Sequence, residues 1–428
     1  MSTLQVSFSR ADIDDPTVAA VVETLRSGLS STGRQVHALE EAVKALVRSH
    51  HALAVNSVTA ALHLAVEALG TKPGDAVLLP TMSFAAPAEA LRHLGATPVL
   101  VDCDATTLHM DLTDAVRKVE QLASHTPPGR LPWGLSLVGL ISVHVAGLMM
   151  DIDAVRDLTS QRGIWNVDDA TQAFPAAWRR DHRAEWQPCG HTAAITCFAL
   201  HAPMTTAAGD GGMIVTNHER LYARMRQMSL HGLSGETSES CFSAAEANDP
   251  SNWDYKIIAP GFDYILNDLA AALQLHQLAR AQQMREQRQQ IAARYCEALC
   301  HFDELELPPV HIDRVHAWQL FPIQLRLPQL TIDRVGFVRE LARRGVTASV
   351  HWRPLHLHPY YQETFGWQPE EFPVATAVWQ RLVSLPIFSA MTDQEIDAVT
   401  RAVADICTRF RRSGAAVLPW HIPPEARA

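Results

Sequence analysis

Short apolar runs of β-type composition alternate with longer helix-type segments from about residue 50 to 230. Ala52 to Val55 predicts a strand, Thr59 to Leu69 a helix, and Ala76 to Leu79 the next strand. Strands separated by helical crossovers indicate an α/β domain around a largely parallel sheet that is covered on both faces. Because ligands of such folds bind at the carboxyl ends of the strands, the loops there hold the candidate functional residues.

The chain length permits more than one domain. It has 428 residues, and domains usually contain roughly 100–200 residues. We predict a large α/β domain over residues 1–255 and a smaller α+β domain over residues 256–412, which begins with a long helix from about Asn267 to Cys300. Residues 233–253 are rich in Ser and Glu and predict a surface loop, and the proline-rich residues 413–428 predict an irregular tail.

Composition excludes several classes of protein. The net charge of −10 argues against a duplex or an anionic membrane surface as partner. No apolar run reaches the ~18 residues of a membrane span, and the first residues do not form a signal peptide. The seven cysteines are dispersed without a Cys-x-x-Cys pair, which argues against a disulfide framework or a zinc site. We therefore expect a cytoplasmic protein that binds no nucleic acid, membrane or metal.

Four strand-end segments together could hold a flat, phosphorylated ligand. Ser57 and Thr59 stand at the start of a predicted helix, where hydroxyls and backbone amides suit a phosphate. Phe84 follows the next strand and could stack on a heterocycle. Asp169 ends a later strand and could pair with a protonated ring nitrogen, and a Gly211-Gly212 turn leads into a further strand. Each feature alone is explained as well by an N-cap, a core aromatic, a solvated aspartate or a hairpin.

In this order, the segments resemble the DegT/StrS-type sugar aminotransferases, vitamin B6 enzymes of aminotransferase fold type I. The resemblance runs from about Arg34 to Ile406, and it includes the stretches 65–75, 95–102, 143–151, 253–255, 350–356 and 372–386. It implies a large domain with a mostly parallel seven-stranded sheet and a small C-terminal α+β domain. It also implies a homodimer with shared sites, and a polar substrate that is sugar-like or aminocyclitol-like.

The resemblance also implies a lysine that this chain lacks. In the family, the strand before the Gly-Gly turn carries the lysine that forms an imine with pyridoxal phosphate (PLP). Counting back from that turn places Met204 there, and a thioether can neither form an imine nor transfer a proton. The chain has four lysines, each expected to be a solvated surface charge: Lys44, Lys72, Lys118 and Lys256. Covalent PLP is therefore predicted to be absent, while non-covalent PLP or pyridoxamine phosphate (PMP) is possible.

Four positions near the expected cofactor phosphate depart from the family, and one of them is Ile265, which stands where the family has an arginine. Ala199 replaces the serine five residues before the lysine, and Val58 replaces a helix glycine, which restricts close backbone approach. Asp263 replaces an asparagine that is donated across the dimer interface. A carboxylate there would repel a phosphate by about 4 kcal/mol per charge pair at ~4 Å and an effective dielectric constant near 20. The retained cofactor residues are Thr59, Phe84, Asp169 and Gln172.

Several functions are consistent with these substitutions. One is a PLP- or PMP-dependent aminotransferase with a laboratory lysine-to-methionine change, or a dehydratase of a nucleotide-linked keto sugar in which a histidine such as His201 acts as base. A second is a diverged biosynthetic enzyme without the imine, with Asp169, His201, His231, Asp263 and His356 available for acid–base work. A third is an inactive subunit that completes the site of an active relative. Concurrent loss of the lysine and the phosphate ligands favours the second.

Two smaller patterns predict surface features. Asp102 and Asp104 are expected to form a solvated strand end, and Arg280, Arg285 and Arg288 the exposed face of the long helix.

Overall fold

A computed structural model describes residues 4–28, 33–124, 131–200, 211–233 and 255–412. The strands of the larger part are β1 (His51–Val55), β2 (Asp75–Pro80), β3 (Thr97–Val101), β4 (Ser136–Val143), β5 (Trp165–Asp169), β6 (Ala177–Trp178), β7 (Gln187–Pro188), β8 (Ile195–Ala199) and β9 (Gly212–Thr216). Its helices are α1 (Asp15–Arg26), α2 (Arg34–Val47), α3 (Val58–Ala68), α4 (Ala86–His93), α5 (Leu112–Ala123), α6 (Ile152–Arg162) and α7 (Glu219–Ser229).

A seven-stranded sheet forms the centre of this part, with the order β1-β9-β8-β5-β4-β2-β3. The pairs from β8 through β3 are parallel, and β9 is antiparallel to both of its neighbours, so β1 runs in the same direction as β8. The carboxyl ends of every strand except β9 therefore lie at one edge. This confirms the predicted fold class, and the first predicted elements agree with the structure to within one residue at each end.

The smaller part contains a three-stranded antiparallel sheet. Its elements follow the long helix α8 (Asp268–Leu299) and are β10 (Leu305–Glu306), β11 (Arg314–Val315), β12 (Phe321–Leu325), α9 (Arg334–Arg343), α10 (Pro359–Phe365), α11 (Pro373–Trp379), β13 (Leu382–Leu385) and α12 (Asp393–Phe410). Helix α8 joins the two cores, because Ala271 and Leu278 pack in the core of the large sheet and Ile291 and Tyr295 pack in that of the small sheet.

No helix in the described ranges is both long enough and apolar enough to span a membrane. The predicted tail over residues 413–428 and nearly all of the predicted loop over residues 233–253 lie outside those ranges. The domain boundaries at residues 255 and 412 stay predictions.

Asp102 is buried rather than solvated, because the small domain covers it. Its carboxylate accepts hydrogen bonds from the Val374 amide at 2.9 Å and the Ala375 amide at 2.8 Å. Those amides belong to the first turn of α11, where free N–H groups and the helix dipole favour a negative charge. Asp102 therefore fastens α11 to the end of β3.

Lys118 is also buried, with 3% of its surface exposed, which corrects its predicted surface position. Its Nζ lies 4.9 Å from the centre of the Phe372 ring, a cation–π contact, and burial lowers the pKa of the ammonium group. Arg285 and Arg288 are buried as well, and Arg288 Nε donates to the Ala317 carbonyl at 2.9 Å. Lys118 on α5 and the two arginines on α8 thus contact other parts of the protein instead of facing water.

Replacing Asp102 by alanine should lower the free energy of unfolding by about 1–3 kcal/mol, because two helix-terminal amides lose their acceptor. Urea unfolding at pH 7 measures this change. Asp157→Ala is the matched control, since this aspartate is exposed on α6 and its loss should cost no more than about 0.5 kcal/mol. Equal losses in the two variants would contradict the capping role of Asp102.

Candidate functional site

The predicted site residues converge on the carboxyl edge of the large sheet. Asp169 is the last residue of β5, Ala199 is the last residue of β8, and Phe84 follows β2. The loop after β1 leads into α3 at the same edge. The sheet topology thus gathers residues that are up to about 140 positions apart in the chain, as expected for a ligand site in this fold class.

The start of α3 lies directly against the start of β9. Ser57 is the N-cap of α3, and its Oγ accepts a hydrogen bond from the Ala60 amide at 3.1 Å. A Cβ atom on Gly212 would lie only 2.4 Å from the Ser57 carbonyl oxygen, so this contact requires glycine. Gly212 also pairs with Ala199 across the β8–β9 ladder. Ala199 therefore lies next to Ser57 and to the first turn of α3, which includes Thr59. The methyl group of Ala199 can form no hydrogen bond there.

Asp263 and His231 form an exposed surface beside this helix start. The Asp263 carbonyl oxygen accepts a hydrogen bond from Asn56 Nδ2 at 3.2 Å, and the Asn56 amide donates to the Tyr264 carbonyl at 2.9 Å. The His231 amide donates to the Phe262 carbonyl at 2.8 Å. The structure thus brings both predicted residues close to the end of β1, with a carboxylate where the family resemblance implies an amide.

Asp169 is buried at the centre of the edge. Its Oδ1 accepts a hydrogen bond from the Thr171 amide at 3.0 Å and another from the Thr171 hydroxyl. Burial raises the pKa of Asp169, although the Thr171 hydrogen bonds and His144 oppose the rise. A cationic partner at this carboxylate would remove that cost of burial. On the β2 side of the same edge, the Phe84 ring is 61% exposed and offers a face for stacking.

A second buried carboxylate, Asp168, lies behind the first. It accepts hydrogen bonds from the Ser142 and Thr192 hydroxyls, and its Oδ2 is 3.6 Å from His144 Nε2. Burial opposes ionisation here too, but His144 and the two hydroxyls hold the pKa of Asp168 below its ordinary value. Adjacent carboxyl groups on one strand are thus shifted in opposite directions.

Gln172 supports the turn after β4. Its Oε1 accepts a hydrogen bond from the Ala146 amide at 2.7 Å, and the His144 amide in turn donates to the Asp169 carbonyl at 3.1 Å. The carboxamide oxygen of Gln172 therefore accepts a hydrogen bond within the protein. This predicted cofactor residue thus also stabilises the turn beside the site.

Comparison with known proteins accounts for this arrangement. The sequence profile of the DegT/DnrJ/EryC1/StrS aminotransferase family matches residues 11–404. The chain belongs to this family. It is 35% identical over 390 residues to the spore coat polysaccharide biosynthesis protein SpsC of Bacillus subtilis, across 91% of this chain and 94% of SpsC. The match confirms the family predicted from the strand-end motifs.

Solved structures of relatives share the fold. The sugar aminotransferase CalS13 from Micromonospora echinospora has a TM-score of 0.77 at 25% identity, over 93% of this chain and 99% of CalS13. DesV from S. venezuelae has a TM-score of 0.76 at 26% identity, over 91% of this chain and 94% of DesV.

His356 is not available in this aminotransferase-family protein for the acid–base work predicted for it. The ring is fully buried, with Nδ1 2.7 Å from the Thr81 hydroxyl and Nε2 2.9 Å from the Thr376 hydroxyl. It also stacks on Phe372, and burial lowers its pKa to about 3. Because both ring nitrogens have partners, His356 joins the small domain to the end of β2.

Two predicted catalytic positions, His201 and Met204, lie outside the described residues. Among the lysines that are described, Lys72 and Lys256 are exposed, and Lys44 pairs with Glu41 at 2.7 Å. Lys118 lies on the Phe372 ring, which stacks in turn on His356, and His356 is hydrogen-bonded to Thr81. No lysine in the described ranges reaches Asp169 or Phe84 through these contacts.

Sequence reasoning missed the pair of His144 and Asp168. Both residues lie in segments that carry the family resemblance, but the sequence pattern assigns neither of them a role. The signal that could have found them is the pair of adjacent aspartates at the end of a predicted inner strand, since a buried charge requires a partner.

Stability should fall as the pH is lowered from 6.5 towards 5, partly because of His356. An unfolded histidine takes up its proton near pH 6.5, whereas folded His356 does so only at about pH 3. Between these values the unfolded chain binds the additional proton, which costs about 1.4 kcal/mol of stability per pH unit.

His356→Gln should therefore show a shallower pH dependence of the free energy of unfolding, measured with urea between pH 5 and 7. Glutamine keeps a side chain that can bond to the two threonines. His182→Gln, at an exposed position, serves as control and should leave the slope as in the unaltered protein. A His356→Gln slope as steep as that control would show that His356 does not titrate in this way.

Proposed function

We propose that this protein is a cytoplasmic biosynthetic enzyme that acts on a polar, sugar-like or aminocyclitol-like small molecule without a covalent link to PLP. The observation that carries the proposal is a family cleft with Asp169 and Phe84 in place, together with Met204 at the position of the family lysine. The relatives support the substrate class, since SpsC is described as a polysaccharide biosynthesis protein and CalS13 as a sugar aminotransferase.

The residues that would hold the ring of a B6 cofactor fit that group. Such a cofactor supplies a ring that withdraws electrons from the substrate carbon attached to it. Asp169 would hold the proton on the ring nitrogen, and such a cation would offset the burial that raises the pKa of this carboxyl group. The exposed Phe84 ring would cover one face of the ligand and exclude water. These two residues favour non-covalent binding of PLP or PMP over complete loss of the cofactor.

The residues that would hold the phosphate group of the cofactor fit it only in part. The amides of the first turn of α3 and the Ser57 and Thr59 hydroxyls suit an anion. Ala199 contributes no donor, and the Asp263 carboxylate adds a negative charge near Asn56. We infer that a phosphate is held here more weakly than in a site with a serine at position 199.

Purified protein titrated with PLP or PMP should bind the ligand reversibly, followed by protein fluorescence. After borohydride treatment, mass spectrometry should find no label on the chain. Asp169→Asn should weaken binding about 10- to 100-fold, because a charge-assisted hydrogen bond contributes roughly 1.5–3 kcal/mol.

Met204→Lys provides the positive control, since it should become labelled at position 204 and acquire the absorbance of a covalently bound cofactor. Lys118→Arg tests the buried lysine and should behave like the unaltered protein. A borohydride label on any of the four natural lysines would overturn the proposal. Turnover that begins only when an active relative is added would instead favour the inactive partner subunit.

We also propose that the protein forms a homodimer in which the sites are shared. Ile257 is 68% exposed, and its neighbours Tyr255 and Ile258 are exposed as well. This apolar surface adjoins the segment of Asp263, because the Ile258 amide donates to the Gly232 carbonyl and the His231 amide to Phe262. A partner subunit seated there would cover the apolar side chains and bring Asp263 towards its own site.

Ile257→Asp should raise the dimer dissociation constant about tenfold or more, since burial of one isoleucine contributes roughly 1.5–3 kcal/mol. Light scattering after size exclusion, over a series of protein concentrations, measures this change. Val310→Asp is the matched control, because Val310 is 76% exposed on a different surface segment. A dimer that tolerates Ile257→Asp as well as the control would place the interface elsewhere.

A further inference from the structure

A small cavity lies between the two domains, beside the turn that Gln172 supports. Its walls come from the loop after β3, the turn after β4 and the segments around β10 and β12. Ala146 belongs to the wall, and its amide is the one that donates to Gln172. The cavity has room for about one water molecule.

Gln324 presents an unpaired acceptor to this cavity. The side chain is 6% exposed, and its Nε2 donates to the Ala105 carbonyl at 2.6 Å, which fixes the orientation of the carboxamide. Within the part of the chain that the structure describes, Oε1 has no hydrogen-bond partner. A buried amide oxygen without a donor costs roughly 1–3 kcal/mol, so a donor in the cavity would stabilise the fold.

His316 lines the same cavity and adds a donor. Its Nδ1 accepts a hydrogen bond from the Trp318 amide at 2.8 Å, so the ring proton is on Nε2. The ring stacks on Trp318 with 3.9 Å between centres, and burial keeps its pKa well below the ordinary value. The ring is therefore neutral at pH 7.

Charged ligands do not suit the cavity. Glu306, the carboxylate in the wall, is already paired with Arg326 at 3.3 Å and Arg381 at 3.0 Å. An anion would meet Gln324 Oε1, and a cation would meet the donor of His316. Only a small neutral group that both donates and accepts hydrogen bonds satisfies both walls, and at this size that group is water.

We propose that this cavity binds a single water molecule that accepts a hydrogen bond from His316 Nε2 and donates one to Gln324 Oε1. This water site depends only on contacts of the folded chain and not on the proposed function.

A crystal structure of the full chain, from crystals grown without polyols and at a resolution that shows ordered water, tests the proposal. We expect one compact density peak inside the cavity, within about 3.2 Å of Gln324 Oε1. An empty cavity, or elongated density too large for water, would overturn the assignment.

Two variants provide a matched comparison. Gln324→Leu removes the acceptor, and Gln324→Glu keeps an acceptor at the same place, while both lose the donation to the Ala105 carbonyl. The peak should disappear in the leucine variant and persist in the glutamate variant. A peak that survives in Gln324→Leu would show that Gln324 does not hold it, and the structure of the unaltered protein decides the question if either variant fails to fold.

Discussion

The common direction of the strands is the constraint on which the site depends. Parallel ladders from β3 through β8 bring the carboxyl ends of these strands to one edge, and the reversed strand β9 starts there. The close contact between Gly212 and the Ser57 carbonyl then sets the distance between the sheet and α3. A side chain at position 212 would push the helix away from the sheet, and the start of α3 would move away from Asp169.

The pKa values of two neighbouring carboxylates at this edge are shifted in opposite directions. Asp168 is surrounded by the Ser142 and Thr192 hydroxyls and by His144, so its charge is stabilised within the protein. Asp169 has only the Thr171 hydrogen bonds and His144 to oppose its burial, and its pKa rises. A buried carboxylate with a raised pKa costs folding energy at neutral pH, and such a cost is typical of sites that receive a cationic group from a ligand.

Local sequence predicted the elements of the large sheet and the strand-end positions of Asp169 and Phe84, because hydrophobic periodicity and chain order determine both. It was wrong about Lys118 and Asp102, since the groups that bury them lie about 250 or more residues later in the chain. Periodicity identifies the polar face of a helix but does not reveal which element packs on it. Arg288 was misjudged for the same reason, because its partner is the Ala317 carbonyl.

The contacts that bury Lys118 also restrict the movement of its side chain. Its ammonium group lies on the Phe372 ring, which stacks in turn on His356. Displacing those rings would break the hydrogen bonds of His356 to Thr81 and Thr376, and it would disturb the helix start held by Asp102. The small domain is attached to the large sheet through these same contacts. A modest side-chain movement therefore does not release Lys118 from these contacts, which hold α11 against the end of β3.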